Sequence, residues 1–325
     1  MYILAGDIGG TKTHLGLFEY KKKLMCIDEA IFKSEDYSSL NAVIKKFLGG
    51  KRTNISNACF GVAGPVRKGK CNITNLPWII DTKELEEQLN VSVALLNDLE
   101  AMAYGINELK EEEFFVLNEG KNFKGNQALL AAGTGLGEAG IFFDGKKHCP
   151  FACEGGHTDF AARDKLETKL FLYMQKKFGH VSCERIISGP GLYALYQFLV
   201  EEKLEERIPR LEEEFKKQDP SKIIAEKGIN GEIKGCERAL EWFISLYGAE
   251  AGNAALKFFA LGGVFIGGGI APKILSKMKE GKFMQAFTDK GRFANMLSSI
   301  PVKVILNPKT PLLGAAHFAN NFMKK

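Results

Sequence analysis

The sequence predicts an α/β protein of two packed lobes, and three observations lead there. At 325 residues the chain is longer than a usual domain of about 100–200. Its first part alternates strand-like apolar runs with helix-spaced ones, the pattern of an α/β lobe. A charged stretch, Glu108–Glu113, then gives way to a second set of strands opening at Gln127–Ala132.

Tyr2–Asp7 is an apolar run that ends at Gly9-Gly10, a strand followed by a tight turn. Thr13–Tyr20 and Leu24–Phe32 read as further strands, with Lys21-Lys22-Lys23 turning between them. Leu40, Val43, Ile44 and Phe47 recur at helical spacing, and Gly49-Gly50 stops that helix. Asn57–Val62 and Val91–Leu96 are buried strands around a helix near Thr82–Leu89, and a helix over Leu99–Leu109 closes the lobe.

In the second set, Ala139–Phe143 follows Gln127–Ala132 after a glycine turn. Helices then dominate through Arg163–Phe178, Gly191–Lys203 and Ala239–Phe259, while Glu201–Lys227, dense in alternating charge, reads as a solvated helical face. Leu261–Ile266 is another strand, ending in Gly267-Gly268-Gly269. The tail is a strand, Val302–Leu306, and a helix with Thr310 as N-cap and Pro311 at its first position.

Composition excludes several classes. Lys+Arg 44 against Asp+Glu 39 gives a net charge of +5, and the basic residues are interleaved with acids, so no nucleic-acid-binding stripe is expected. The longest uncharged apolar stretch, Phe258 to Ala271, is 14 residues and rich in glycine, short of the ~18–20 a spanning helix needs. The opening residues MYILAGDIGG lack a basic region and reach an acid at Asp7, which does not read as an export signal. Seven cysteines without a C-x-x-C pair read as reduced thiols, and a cytoplasmic protein is expected. Cys26, Cys59, Cys71, Cys183 and Cys236 are scattered and read as small buried hydrophobes.

Two glycine hairpins carry phosphate chemistry. In Asp7-Ile8-Gly9-Gly10-Thr11 the glycines allow positive φ and let backbone N–H groups face an anion. Thr11 adds a hydroxyl donor, and Asp7 suits Mg²⁺ held through water. An ordinary Asp/Gly turn is the plainer reading. Gly133-Thr134-Gly135-Leu136-Gly137 repeats the arrangement. Gly135, Gly137 and Gly140 also match G-x-G-x-x-G, but a strand rather than a helix follows, and no acid ends a later strand at the dinucleotide spacing. At Gly267-Gly268-Gly269 side-chain-free backbone would admit a flat ring, or simply a tight turn.

Three further segments carry polar chemistry. Asn97-Asp98 follows a buried strand, where ligands of α/β sheets collect. Asp98 there suits a general base with Asn97 orienting the substrate, or a helix N-cap. Glu154-Gly155-Gly156-His157, and Glu184 before Ser188-Gly189-Pro190-Gly191, offer carboxylates and an imidazole of the kind that read vicinal sugar hydroxyls. A loop salt bridge and a core histidine are the alternatives. His148, Cys149, Cys153 and His157 are close in sequence but lack zinc-finger spacing.

The motifs AGDIGGTKT, LLNDLEAMAYG, AAGTGLGEAG, EGGHTDFAARD, ERIISGPGLYALY and FIGGGIAP, in this order and from residue 3 to the C-terminal helix, resemble the bacterial-type glucokinase family of the sugar kinase/actin/heat-shock ATPase superfamily. The resemblance implies a two-lobed, actin-like (ribonuclease H-like) α/β fold with an interlobe cleft. Residues 1–110 would form the small domain, with 303–325 packing back on it, and 111–302 the large one. It implies ATP-dependent phosphorylation of glucose at the 6-hydroxyl, in glycolysis. Asp98 would be the base, with Asn97 also on the sugar and Glu154, His157 and Glu184 on the ring hydroxyls. Asp7, Gly9, Gly10, Thr11, Gly133, Thr134, Gly135 and Gly137 would cradle phosphates and Mg²⁺, and Gly268 and Gly269 would lie near adenosine. A homodimer is expected, without nucleic-acid or membrane partners. The cysteine cluster of a related zinc-bearing branch is missing after His157, so no structural zinc is expected. Kinases for other hexoses or amino sugars, and a non-catalytic sugar sensor of the same fold, are the competing expectations.

Overall fold

A computed structural model describes residues 2–50, 54–73, 76–121 and 123–322. The backbone divides into two compact units, one of Met1–Glu113, Pro150–Ala152 and Asn307–Lys325, the other of Phe114–Cys149 and Cys153–Leu306.

The first unit is built on a five-stranded sheet in the order Leu24–Lys33, Lys12–Tyr20, Tyr2–Ile8, Ile55–Val62, Ser92–Asn97. Its first two pairings are antiparallel and its last two parallel. Period-two alternation divides the core, because successive side chains leave opposite faces of a strand. Leu4 and Ile8 point to the face covered by the helix Leu40–Leu48, with Val43, Ile44 and Phe60. Ile3 and Ala5 point to the other face, against Ala101 and Tyr104 of the helix Asp98–Gly105 and Leu312, Ala315 and Ala319 of the C-terminal helix Thr310–Phe322.

A six-stranded sheet, all of it but Pro150–Ala152 in the second unit, is ordered His148–Cys153, Leu136–Phe143, Gln127–Ala132, Gly263–Gly267, Val302–Ile305, Phe114–Asn118. The Gln127–Ala132, Gly263–Gly267 and Val302–Ile305 strands run parallel. The 24-residue helix Lys234–Lys257 packs in the same core. It is pinned to the sheet by Tyr247, whose buried hydroxyl accepts from the Ala132 N–H at 3.1 Å and donates to the Leu130 carbonyl at 3.3 Å.

Most expected elements stand within a few residues of their predicted ends. The differences have local causes. Phe114–Asn118 and His148–Cys153 are strands that the sequence reading passed over; both lie at sheet edges, where half-exposed strands lose their apolar signature. Thr310 is the first helical residue rather than the cap, since the Leu313 N–H donates to the Lys309 carbonyl. Its hydroxyl donates to the Asn307 carbonyl at 2.7 Å. Cys26 is exposed, not a buried hydrophobe, because it lies on the edge strand Leu24–Lys33. No described helix is long and apolar enough to cross a membrane.

Candidate active site

In the first unit the parallel strands align their carboxyl ends: Ile8 lies opposite Val62, and Val62 opposite Asn97. Strands are spaced about 4.8 Å apart, so the turn after Asp7 and the turn at Asn97-Asp98 share one sheet edge about 10 Å from each other. Asn97 is the N-cap of the helix that begins at Asp98, its Oδ1 accepting from the Leu99 N–H at 2.9 Å. Asp98 is thus the first helical residue rather than the cap, although its own Oδ1 also lies 2.9 Å from the Leu99 nitrogen. Gly61, in the strand between, lets this helix approach: a Cβ there would sit 2.7 Å from that of Ala101.

The first hairpin closes through the Gly9 N–H donating to the Lys12 carbonyl at 2.9 Å. It is braced from behind by Ser34, whose hydroxyl donates to the Gly9 carbonyl at 2.8 Å and lies 3.0 Å from Thr13 Oγ1. Ser34 is separated by 25 residues from Gly9, and nothing in the sequence pattern marked it. Burial pushes the Asp7 carboxyl above the ordinary carboxylate range, with Lys12 and His14 acting in the opposite sense. His14 itself is buried and sits 3.2 Å from Glu29, which is also paired with Lys309.

In the second unit, register places Gly267 opposite Ala131, so the glycine turns at 133–137 and 267–269 leave the same sheet edge. Gly268 alone among the glycines of the three turns has positive φ, +82°. A Cβ there would also meet the Ala132 carbonyl oxygen at 2.4 Å. The left-handed backbone that glycine would allow at Gly9 and Gly10 is not adopted; at Gly9 a Cβ would lie 3.3 Å from the Lys12 carbonyl oxygen that closes the hairpin. Gly133 accepts at its carbonyl from the Gly189 N–H at 2.8 Å, which brings in Ser188-Gly189-Pro190-Gly191. Around these turns lies a cavity of about 810 Å³, lined by Gly133, Thr134, Pro190, Tyr193, Ala225 and Gly269 among others. Its far wall is the helix Pro220–Ile229, most of which falls in Glu201–Lys227, the stretch read from sequence as a solvated face. That helix is amphipathic, with Ile223 and Ile224 buried, and its charges had masked this.

The sugar-type side chains of this unit meet. His157 stands 3.9 Å from Glu154 through Nε2 and 3.9 Å from Glu184 through Nδ1. Glu184 Oε2 accepts from the Leu136 N–H at 3.0 Å, fixing the carboxylate against the glycine hairpin. Gly135 permits this, since a Cβ would fall 2.4 Å from the same oxygen. Glu154 and His157 lie on a short 3-10 turn, Gly155–His157 with its preceding residue, and remain largely exposed.

Among the described residues no group of three or more His, Cys, Asp or Glu side chains is arranged to hold a metal ion. Mg²⁺ that keeps several waters and binds substrate phosphates needs only one or two carboxylates. Asp7, near the carboxyl end of the strand Tyr2–Ile8 and just before the glycine hairpin, supplies one such carboxylate.

Comparison with known proteins follows the same residues. A family model described as Glucokinase matches residues 4–322. The chain is 40% identical over 335 positions to a glucokinase of Trichormus variabilis, spanning 97% of each protein. A glucokinase from an Antarctic psychrotroph superposes with a TM-score of 0.87 at 30% identity, covering 98% of this chain and 99% of that one. A ROK family glucokinase from Streptomyces griseus, solved with glucose and AMPPNP, has a TM-score of 0.64 at 19% identity, covering 98% and 99%. The fold is that of the actin-like sugar kinases, as expected from the sequence.

Proposed function

The chain belongs to the glucokinase family, and from that premise we infer that it transfers the terminal phosphoryl group of ATP to the 6-hydroxyl of D-glucose, giving glucose 6-phosphate and ADP. The observation that carries the reading from the site itself is His157 flanked at 3.9 Å by Glu154 and Glu184. These groups come from segments about thirty residues apart, and they offer the acceptors and donors that vicinal hydroxyls require.

Phosphoryl transfer asks little covalent work of the protein; it asks for in-line positioning and neutralised charge. In this reading Asp98 takes the proton from the 6-hydroxyl as its oxygen attacks the terminal phosphorus. Asn97 has one oxygen committed to the Leu99 N–H, which leaves its amide N–H₂ to orient the same substrate. Glu154, His157 and Glu184 hold the ring hydroxyls and reject analogues that leave their polar atoms unpaired. The backbone of Gly9, Gly10 and Thr11 and of Gly133, Thr134, Gly135 and Gly137 cradles phosphates. Asp7 would hold a hydrated Mg²⁺, which when bound supplies charge neutralisation at the phosphates. The cavity lined by Gly269, the residue after Gly268, at about 810 Å³, has room for a nucleoside.

We further propose a cytoplasmic enzyme, in keeping with seven free thiols, and a homodimer, to be measured by light scattering. The deciding experiment is an ADP-release assay over a panel of glucose, mannose, glucosamine and acylated amino sugars. Glucose-dependent ADP release with the highest kcat/KM for glucose supports the reading. Release with another sugar only would move the substrate, and none with any sugar would overturn catalysis.

A further inference from the structure

Behind the Gly155–His157 turn lies a buried acidic pair that the proposed chemistry does not use. Glu138, on the strand Leu136–Phe143, is 1% exposed, and Glu250, on the helix Lys234–Lys257, is 4% exposed. The two differ in their partners. Both oxygens of Glu250 have donors: Oε1 accepts from Lys257 Nζ at 3.0 Å, and Oε2 accepts from Asn253 Nδ2 at 2.8 Å and from the Cys183 thiol at 3.4 Å, which leaves Oε1 room for one more. Neither oxygen of Glu138 has a hydrogen-bond donor. A buried carboxylate in that condition is costly, whereas a neutral acid donates to its ionised neighbour. Burial raises Glu138 most, and the negative Glu250 beside it adds to this, giving about 7.

The pair touches both segments that carry the sugar-type side chains. Glu138 Oε2 presses on Gly155 so closely that a Cβ there would lie 2.1 Å away, and Glu138 Cδ 2.8 Å away. The Cys153 thiol, just before this turn, donates to the Glu138 carbonyl at 3.4 Å. On the other side, the thiol held by Glu250 belongs to Cys183, next to Glu184. Glu154 and His157 therefore ride on one member of the pair and Glu184 on the other. The charged and titratable groups facing Glu138 are Glu250, Lys257 and Tyr247 from the long helix, Cys183 from its turn, and Cys153 from the adjoining segment. Lys290 faces the Glu250 side. The thiols of Cys153 and Cys183 and the Tyr247 phenol are all raised, chiefly by burial, and stay protonated near neutral pH. Glu138 is the group poised to change charge there.

We propose that Glu138, as a neutral acid donating its proton to Glu250, is a positioning residue that sets the two turns bearing Glu154, His157 and Glu184, so that sugar affinity falls when Glu138 ionises. The inference rests on the glucokinase reading of those three side chains. Loss of the proton adds a second negative charge to a core that already holds the Glu250 carboxylate, and the yielding neighbour is the glycine turn against Glu138 Oε2.

The test is glucose binding by calorimetry and glucose and ATP KM by ADP release, from pH 6 to pH 8, for the parent, Glu138→Gln and Glu138→Leu. A site competent only in the protonated form loses about tenfold in apparent affinity one pH unit above its titration. The parent is expected to show about that rise in glucose Kd and KM between pH 6 and 8, with ATP KM nearly flat. Glu138→Gln keeps a donor toward Glu250 without a titrating proton, so its glucose Kd stays near the parent's pH 6 value throughout. Glu138→Leu removes the donor and holds a weak, pH-independent Kd. Should the leucine variant fail to fold, the glutamine variant decides. A parent without the rise, or Glu138→Gln retaining the parent's full pH dependence, overturns the proposal while leaving kinase activity intact. A parent that neither binds nor phosphorylates glucose overturns the glucokinase reading first, and this proposal with it.

Discussion

Gly314 of the C-terminal helix lies directly on the Ala101 carbonyl of the helix Asp98–Gly105: a Cβ at 314 would fall 1.7 Å from that oxygen and 2.6 Å from the Gly105 nitrogen. Gly105 in turn meets the Thr310 carbonyl, 2.0 Å from where its own Cβ would be. The last segment of the chain thus presses against the helix that begins at Asp98. Side-chain-free positions on both partners allow backbone-to-backbone contact.

Gly314→Ala should therefore cost about 1–3 kcal/mol, the usual penalty of overpacking a rigid contact. A lower midpoint in urea unfolding is expected, together with reduced kcat as the Asp98 helix is displaced. An unchanged midpoint would mean the helices part without cost.

Asp98→Asn should leave glucose binding within about threefold but lower kcat by about 10²–10⁴, the range for a general base. The helix survives because its cap is Asn97, not Asp98. Near-parental kcat would remove Asp98 as the base.

Ala225→Trp should fill the cavity lined by Gly133, Tyr193 and Gly269. ATP KM should rise about tenfold, since overpacking costs about 1–3 kcal/mol, with glucose KM unchanged. Equal change in both constants would place the nucleotide elsewhere.

Stability should depend on pH through Glu138. Its folded pKa, about 7, exceeds the ordinary 4.5. The protonated acid is favoured by folding, so its contribution is full below about pH 4.5 and is lost as pH rises through 7. Linkage gives about 3 kcal/mol at most. Glu138→Gln should be less stable than or equal to the parent at pH 5 and gain relative to it at pH 8.5, read from urea midpoints. A constant difference across that range would contradict the shift.

Arg163→Ala should destabilise by about 3–5 kcal/mol, the cost of stranding a buried charge. Glu167 is 1% exposed and takes the guanidinium at 2.5 Å through Nη2 and 3.0 Å through Nε. Its remaining donor is the Arg163 N–H at 2.8 Å. Thermal unfolding of the variant against Arg163→Lys measures how much of this is the bidentate fork.

By itself the sequence determined the parts. Apolar runs ending in glycine specified the strands Tyr2–Ile8 and Gln127–Ala132 and their turns, and local spacing specified the helices Leu40–Leu48 and Thr82–Leu89. These are short-range matters of propensity and period, legible within a few residues. The order of the motifs was enough to name the family. What only the tertiary structure decided is what joins distant segments. Sequence spacing says nothing about which side chains close a contact, so Ser34 behind Gly9, Glu250 behind Glu138 and the Pro220–Ile229 wall were invisible in it. The edge strand His148–Cys153 was missed because only one of its six residues is buried and no alternating burial pattern marks it. Whether a buried carboxylate has a donor is decided by the fold alone, because the donors to Glu250 reach it from the Cys183 turn as well as from its own helix.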